Sequence, residues 1–319
     1  MPTRSETDYP TETLLLLWAI REVGAMDALT GRVGTPAELA AETPLSPAAA
    51  ERVIDVLADL GFIAPVGGEY ETTNRALGFL AKRDLRSIGT LPRELDVIDS
   101  LVDLPSALAE CPEKSLGSLA DGDEDRLRNR LGAELATDSA LVRAHVTAAV
   151  RETPTTERVL LMDDGAGTYA REFVARGLEA TVLTDPDVAA VAGPLLDSTG
   201  VETTAESPLS VDPADLVFGV DLLSEMHPEE ARMTVEAISD LVTAEGTAVL
   251  VEPIRGRVAT NVAAAFDARR LALGSGRCYP EPTVIGWFED AGLCPTVRSI
   301  PSAERVAIVC RPERAVLAY

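Results

Sequence analysis

In the stretch VLLMDDGAGTYA, residues 159–170, an apolar run meets two acids and then Gly165 and Gly167. Two glycines so placed let the backbone turn sharply and approach a ligand with no side chain in the way. About twenty residues on, Asp185 in VLTDPDV ends the next apolar run, where a carboxylate accepts both hydroxyls of a ribose. Glu206 follows a third presumed strand and is placed to face an adenine amino group. With Asp163 these make three acids around a glycine turn, and Lys82 and Lys114 are the only lysines in the chain. Such a set suits a cationic nucleoside better than a phosphate-bearing dinucleotide. S-adenosylmethionine answers that description. Tyr169 stands where a third glycine would be comfortable.

A loop of this kind has to be held by a sheet. From Arg158 onward short apolar runs alternate with helical stretches: RVLLM, EATVLT, DLVFGV and GTAVLVEP, then TVRSI and RVAIVC close together at the end. Strand, helix and strand in repetition imply a mostly parallel sheet covered on both faces. The last two runs have the spacing of an antiparallel hairpin at its edge. The glycine turn then lies at the carboxyl end of the first strand, beside the topological switch where ligands bind in such sheets.

The first third of the chain reads differently. TETLLLLWAIREVGAMDAL is an apolar helix broken at Gly24. Thr35 with Pro36, and Ser46 with Pro47, each pair an N-cap with proline in the first helical position. Val53, Ile54, Leu57 and Leu60 recur at helical spacing before Gly61, and FIAPVGGEYETT predicts two short strands around Gly67 and Gly68. Three helices and a hairpin make a winged-helix pattern. We expect three regions: a winged-helix domain over 1–90, a helical connection over 91–150, and a Rossmann-like domain over 151–319.

Composition narrows the function classes. The 319 residues hold 52 acids against 28 bases, a formal net charge of −24. This predicts an acidic protein adapted to a salt-rich cytoplasm, where screening shortens the reach of self-repulsion. The would-be recognition helix SPAAAERVIDVLADL carries Glu51, Asp55 and Asp59 against Arg52 alone, which argues against nucleic acid as partner. Four scattered cysteines and two histidines give neither a zinc spacing nor a disulfide framework. LLLLWAI is too short to span a bilayer and follows acids, not a basic region, so we expect a cytoplasmic protein without membrane anchoring.

Over most of its length the chain resembles the S-adenosylmethionine-dependent O-methyltransferases with an N-terminal winged-helix dimerisation domain, which include plant phenolic, hydroxyindole and bacterial polyketide enzymes. AIREVGAMDAL, TPAELAAETPLSPAAAERVIDVLADLGFI and GEYETTNRALGFL look like the dimerisation domain in order and spacing. DDGAGTY is similar to the family's Asp-x-Gly-x-Gly-x-Gly loop, with Asp163, Gly165 and Gly167 as the matches. ADLVFGVDLLSEMHPEEA resembles the fourth strand and its helix, and GTAVLVEP the fifth strand. The resemblance implies S-adenosylmethionine as cofactor, a small hydroxylated acceptor and a homodimer formed through the N-terminal domain.

The chain departs from the family at the reacting end. Thr184 holds the register of the ribose acid, which makes Asp185 the candidate one residue late. Ser224 occupies the position of the general-base histidine, while Glu252 matches the acid that orients it. Cys278 stands where the family has a second supporting acid. His227, three residues beyond Ser224, is either a helix-start residue or a displaced base, and Glu252 is alternatively a hydrogen-bonding partner of a substrate hydroxyl. Methyl transfer by proximity and orientation is the chemistry these residues leave, with a catalytically degenerate ligand-binding or regulatory homologue as the alternative.

Overall fold

The computed structural model describes residues 9–31, 33–76, 84–109, 124–197, 199–205, 208–301 and 304–313. Their elements fall into two compact units. The first contains α1 (Thr11–Glu22), α2 (Ala25–Thr30), α3 (Pro36–Glu42), α4 (Pro47–Asp59), a hairpin of β1 (Ile63–Val66) and β2 (Glu69–Thr72), α5 (Leu85–Ile88), α6 (Leu91–Val102) and α8 (Glu124–Leu135). α7 (Leu104–Ala109) and everything from α9 (Ser139–Glu152) onward belong to the second.

Local signals account for the first unit. Gly24 takes a left-handed conformation between α1 and α2. Thr35 and Glu38 close a reciprocal capping box at the start of α3, with Pro36 inside it, and the Ser46 side chain accepts the Ala49 N–H ahead of α4. Val53, Ile54 and Leu57 of α4 join Leu17, Ile20, Leu39, Phe62 and Leu95 in one apolar cluster, whereas Leu60 is only partly buried. The hairpin turns at Gly67 and Gly68, both at positive φ. A buried polar strut crosses this unit: Asp96 of α6 accepts from Arg21 of α1 at 2.9 Å and from Asn129 of α8 at 2.8 Å.

The second unit is a seven-stranded sheet in the order β5-β4-β3-β6-β7-β9-β8. Its strands are β3 (Arg158–Met162), β4 (Glu179–Leu183), β5 (Glu202–Thr204), β6 (Ala214–Val220), β7 (Val242–Glu252), β8 (Leu293–Ser299) and β9 (Val306–Pro312). β9 runs antiparallel to both β7 and β8, and the other pairings are parallel. Between them lie α10 (Thr168–Ala175), α11 (Pro186–Leu196), α12 (Pro228–Leu241), α13 (Thr260–Leu273) and α14 (Glu281–Asp290). Leu160, Leu161, Val217, Phe218, Val249 and Leu250 are all buried, as continuous apolar strands covered on both faces must be. The chain moves outward from β3 to β5 and then returns to β6. The switch point therefore falls between β3 and β6, with the segments after both strands opening at one end of the sheet. The architecture is a helical N-terminal unit followed by a Rossmann-like unit. No described helix is long and apolar enough to cross a membrane.

Candidate functional site at the strand switch point

The loop after β3 begins with Asp163, an exposed residue at φ 55° whose N–H donates to the Leu183 carbonyl at 3.0 Å. Asp164 turns the other way and is buried. Its carboxylate accepts the backbone N–H groups of Thr168 (2.9 Å), Tyr169 (2.9 Å) and Ala170 (2.7 Å), the first turn of α10. A helix start leaves its first N–H groups without partners inside the helix, and here one side chain from the preceding loop takes three of them. Burial pushes the Asp164 carboxyl up to about 6, with the three backbone hydrogen bonds and Arg171 pulling the other way.

Gly167 caps α10 in a left-handed conformation at φ 64°. A Cβ there would lie 2.3 Å from a terminal methyl of Leu196, itself buried. Gly167→Ala is therefore expected to cost about 1–3 kcal/mol from overpacking and strain, read as a lower urea midpoint at unchanged slope. Gly165 is buried in the same turn. Tyr169 does not turn back over the glycines: its ring stacks on His145 of α9 at 5.8 Å and tilts against Phe218 of β6 at 5.6 Å. Its hydroxyl lies 3.2 Å from His145 Nδ1.

At the tip of β4 the Thr184 N–H continues the ladder to Thr204, but its Oγ1 is buried with no hydrogen-bond partner. Asp185 occupies the N-cap position of α11, makes no side-chain cap bond and is exposed. The strand tips beside the glycine turn thus present two exposed carboxylates and one orphaned hydroxyl. Glu206 lies outside the described residues.

The segment after β6 is locked by its own backbone. Asp221, at φ 55°, binds Arg305 through two hydrogen bonds of 2.7 and 2.6 Å. Glu252, at the end of β7, is buried and accepts the N–H groups of Leu223 (2.8 Å) and Ser224 (3.2 Å). Burial, and then the nearby Asp221 charge, push the Glu252 carboxyl up to about 8. Ser224 is also buried; its hydroxyl donates to the Asp221 carbonyl at 3.0 Å, and its carbonyl accepts the Arg277 N–H at 3.0 Å. Gly276, at φ 76°, presses so close that a Cβ would meet the Ser224 oxygen at 2.1 Å. Arg270 binds Glu225, and the Tyr279 hydroxyl donates to the Met226 carbonyl at 2.8 Å. Cys278 is buried, with its thiol donating to the Pro253 carbonyl at 2.9 Å. His227 sits exposed at the N-cap of α12 without a side-chain cap bond.

The fold therefore gathers Asp163, Gly165, Gly167 and Asp185 around one turn, and Ser224 and Glu252 around another, while His227 faces solvent. Among the described residues there is no cluster of side chains able to hold a metal ion. Sequence reasoning passed over Asp164 because the N-cap position, where a capping signal is read, is held by Gly167. It also passed over the Asp221–Arg305 pair, whose members are 84 positions apart with no local pattern to link them.

No family model matches the chain, and no curated protein does. Solved structures do. Human N-acetylserotonin methyltransferase in complex with SAM superposes with a TM-score of 0.67 at 18% identity, over 94% of each chain. The mitomycin 7-O-methyltransferase MmcR gives 0.69 at 16% identity, again over 94% of each chain. PigF with SAH gives 0.71 at 16% identity, over 94% of this chain and 96% of that one. The chain has the fold of S-adenosylmethionine-dependent O-methyltransferases, over nearly its whole length.

Proposed function

We propose that this protein is an S-adenosylmethionine-dependent methyltransferase acting on a small hydroxylated acceptor, aromatic or polyketide-like, chiefly by proximity and orientation. The observation that carries the reading is the Asp164 cap. In dinucleotide-binding sheets the helix start after the first strand holds the pyrophosphate. Here the same N–H groups are taken by a buried carboxylate from the chain itself. A phosphate at that point would meet a negative charge and find no free donor. A nucleoside without phosphates loses nothing, and a sulfonium is attracted by the acids.

The residues present fit that cofactor. Asp163 and Asp185 are exposed acceptors at adjacent strand tips, and the orphaned Thr184 hydroxyl lies beside them. Asp163, Gly165 and Gly167 would hold the methionine end, Asp185 and Thr184 the ribose, and Glu206 the adenine. Bound there, the cofactor supplies an electrophilic methyl group on sulfur. The chain orients both reactants and keeps water out. The first unit serves as a winged-helix dimerisation domain for a cytoplasmic homodimer; the acids Glu51, Asp55 and Asp59 on the exposed face of α4 support a role other than nucleic-acid binding.

Calorimetric titration at high and low salt tests the reading. S-adenosylmethionine and S-adenosylhomocysteine are expected to bind with dissociation constants of about 1–100 μM, and NAD is expected to give no heat. Binding of NAD, or no binding of either adenosyl compound to folded protein, would overturn it. Asp185→Ala is expected to weaken S-adenosylhomocysteine binding about 10–100-fold, as loss of hydrogen bonds to a charged group does. Its melting temperature should stay unchanged, because the native side chain caps nothing.

A further inference from the structure

S-adenosylmethionine ends in an amino acid, so a site that holds all of it must meet a carboxylate as well as an ammonium. Asp163 and Asp185 are the exposed acids at the strand tips beside the glycine turn. They suit the ammonium and the sulfonium and repel the carboxylate, which needs a cation of its own. Few are at hand. His145 is fully buried, and burial first, then the Arg305 charge, push its imidazole down to about 4, so it is neutral at neutral pH. Its Nε2 is sealed in the fold without a partner. Arg171 of α10 bonds through Nε to the Gly167 carbonyl at 3.0 Å and lies near the buried Asp164.

Arg305, just ahead of β9, is placed differently. β3 and β6 pair with Leu161 beside Phe218, so Asp163 and Val220 leave their strands side by side and Asp221 follows at once. Bound to Asp221 through Nε and Nη2, Arg305 stands across the crevice from the glycine turn. Its charge acts on His145 and is acted on by Tyr169, two residues beyond Gly167. A guanidinium carries five N–H donors in a flat fork, and Asp221 takes two of them. Nη1 has no hydrogen-bond partner among the described residues, and 25% of the side chain is exposed. Asp221 thus fixes the plane of the fork and leaves free a second edge, the kind that meets a carboxylate through two parallel bonds.

Resting on the methyltransferase reading above, we propose that Arg305, aimed by Asp221, anchors the carboxylate of the cofactor's methionine end, with Asp163 taking the ammonium. The switch point is then a clamp for a zwitterion, with an anion on the β3 side and a cation on the β6 side. Neither residue takes part in methyl transfer; together they fix the amino acid and with it the position of the sulfonium.

The test is calorimetric and needs no turnover: the full chain is titrated with S-adenosylmethionine and with its decarboxylated form, which keeps the amine, the sulfonium and the adenosine. The parent is expected to bind the intact cofactor about 10–100-fold more tightly, as a charge-assisted pair does. The decarboxylated form carries one more positive charge, which a protein of net charge −24 attracts, so this preference runs against the overall field. Arg305→Gln should abolish it by weakening the intact cofactor alone, with affinity for the decarboxylated form kept within about twofold. Asp221→Asn keeps an oxygen for the guanidinium and removes a competing charge, so the preference should survive; a purely structural ion pair would lose affinity for both forms in either variant. Because Arg305→Gln strands the Asp221 charge, the double variant Asp221→Asn with Arg305→Gln is measured beside it and should also show no preference. Equal binding of the two forms by the parent, a preference that persists without Arg305, or equal weakening of both forms would each overturn the proposal while cofactor binding stands. Failure of every adenosyl compound to bind the folded parent removes the methyltransferase reading and this proposal with it.

Discussion

Asp164→Ala is expected to destabilise the protein by about 2–4 kcal/mol at neutral pH. One carboxylate accepts from three consecutive amides at the start of α10, and loss of a side-chain cap alone costs about 0.5–2 kcal/mol. The stranded donors add to this, because Ala170 is buried and an unsatisfied buried N–H costs about 1–3 kcal/mol. The alanine leaves a hole the size of a carboxylate facing those amides, so formate should restore part of the lost stability to the variant and none to the parent. Urea unfolding with and without formate reads both effects. A loss under about 1 kcal/mol, or equal formate effects on the two proteins, would mean that the cap contributes little. The same variant frees a helix start that the chain keeps from anions, and its dipole favours negative charge there. Retention of S-adenosylhomocysteine binding in formate, but not without it, would tie the cap to the shape of the cofactor loop.

How much of this was legible follows from the range over which each signal acts. β3, β6 and the core of β7 are central strands buried on both faces, so RVLLM, DLVFGV and GTAVLV announce themselves as unbroken apolar runs. β5 is three residues of Glu-Thr-Thr at the sheet edge, two of them exposed, and carries no apolar run to read. The starts of α3 and α4 were legible because Thr35–Pro36 and Ser46–Pro47 act within one turn. The glycine turn was legible for the same reason, being contiguous. The second half of the site was not. How the Ser224 backbone is held is decided by Glu252, 28 positions on, which accepts its N–H, and by Gly276, further still, which lies against its carbonyl. Neither contact has a spacing rule; each arises only when the ends of β6 and β7 and the loop after α13 are brought to one place.

Glu252→Gln is expected to abolish the pH dependence of stability that arises at the centre of that second half. The Glu252 carboxyl titrates at about 8 in the fold against an ordinary value of 4.5, with burial the largest cause and the Asp221 charge the next. Between those values the folded chain holds a proton that the unfolded chain has released, so stability falls as pH rises from about 5 to about 8 and levels off above. At about 1.4 kcal/mol per unit the full span amounts to several kcal/mol. Glutamine cannot ionise, and its carbonyl oxygen still accepts the Leu223 N–H, although its amide cannot accept from Ser224. The variant should therefore be less stable than the parent near pH 5, where the parent acid is neutral and both of its oxygens accept amide N–H groups. It should be more stable near pH 9, where the parent must bury a charge beside Asp221. Urea midpoints at pH 5, 7 and 9 should show the two curves crossing, and parallel curves would mean that Glu252 is ionised throughout.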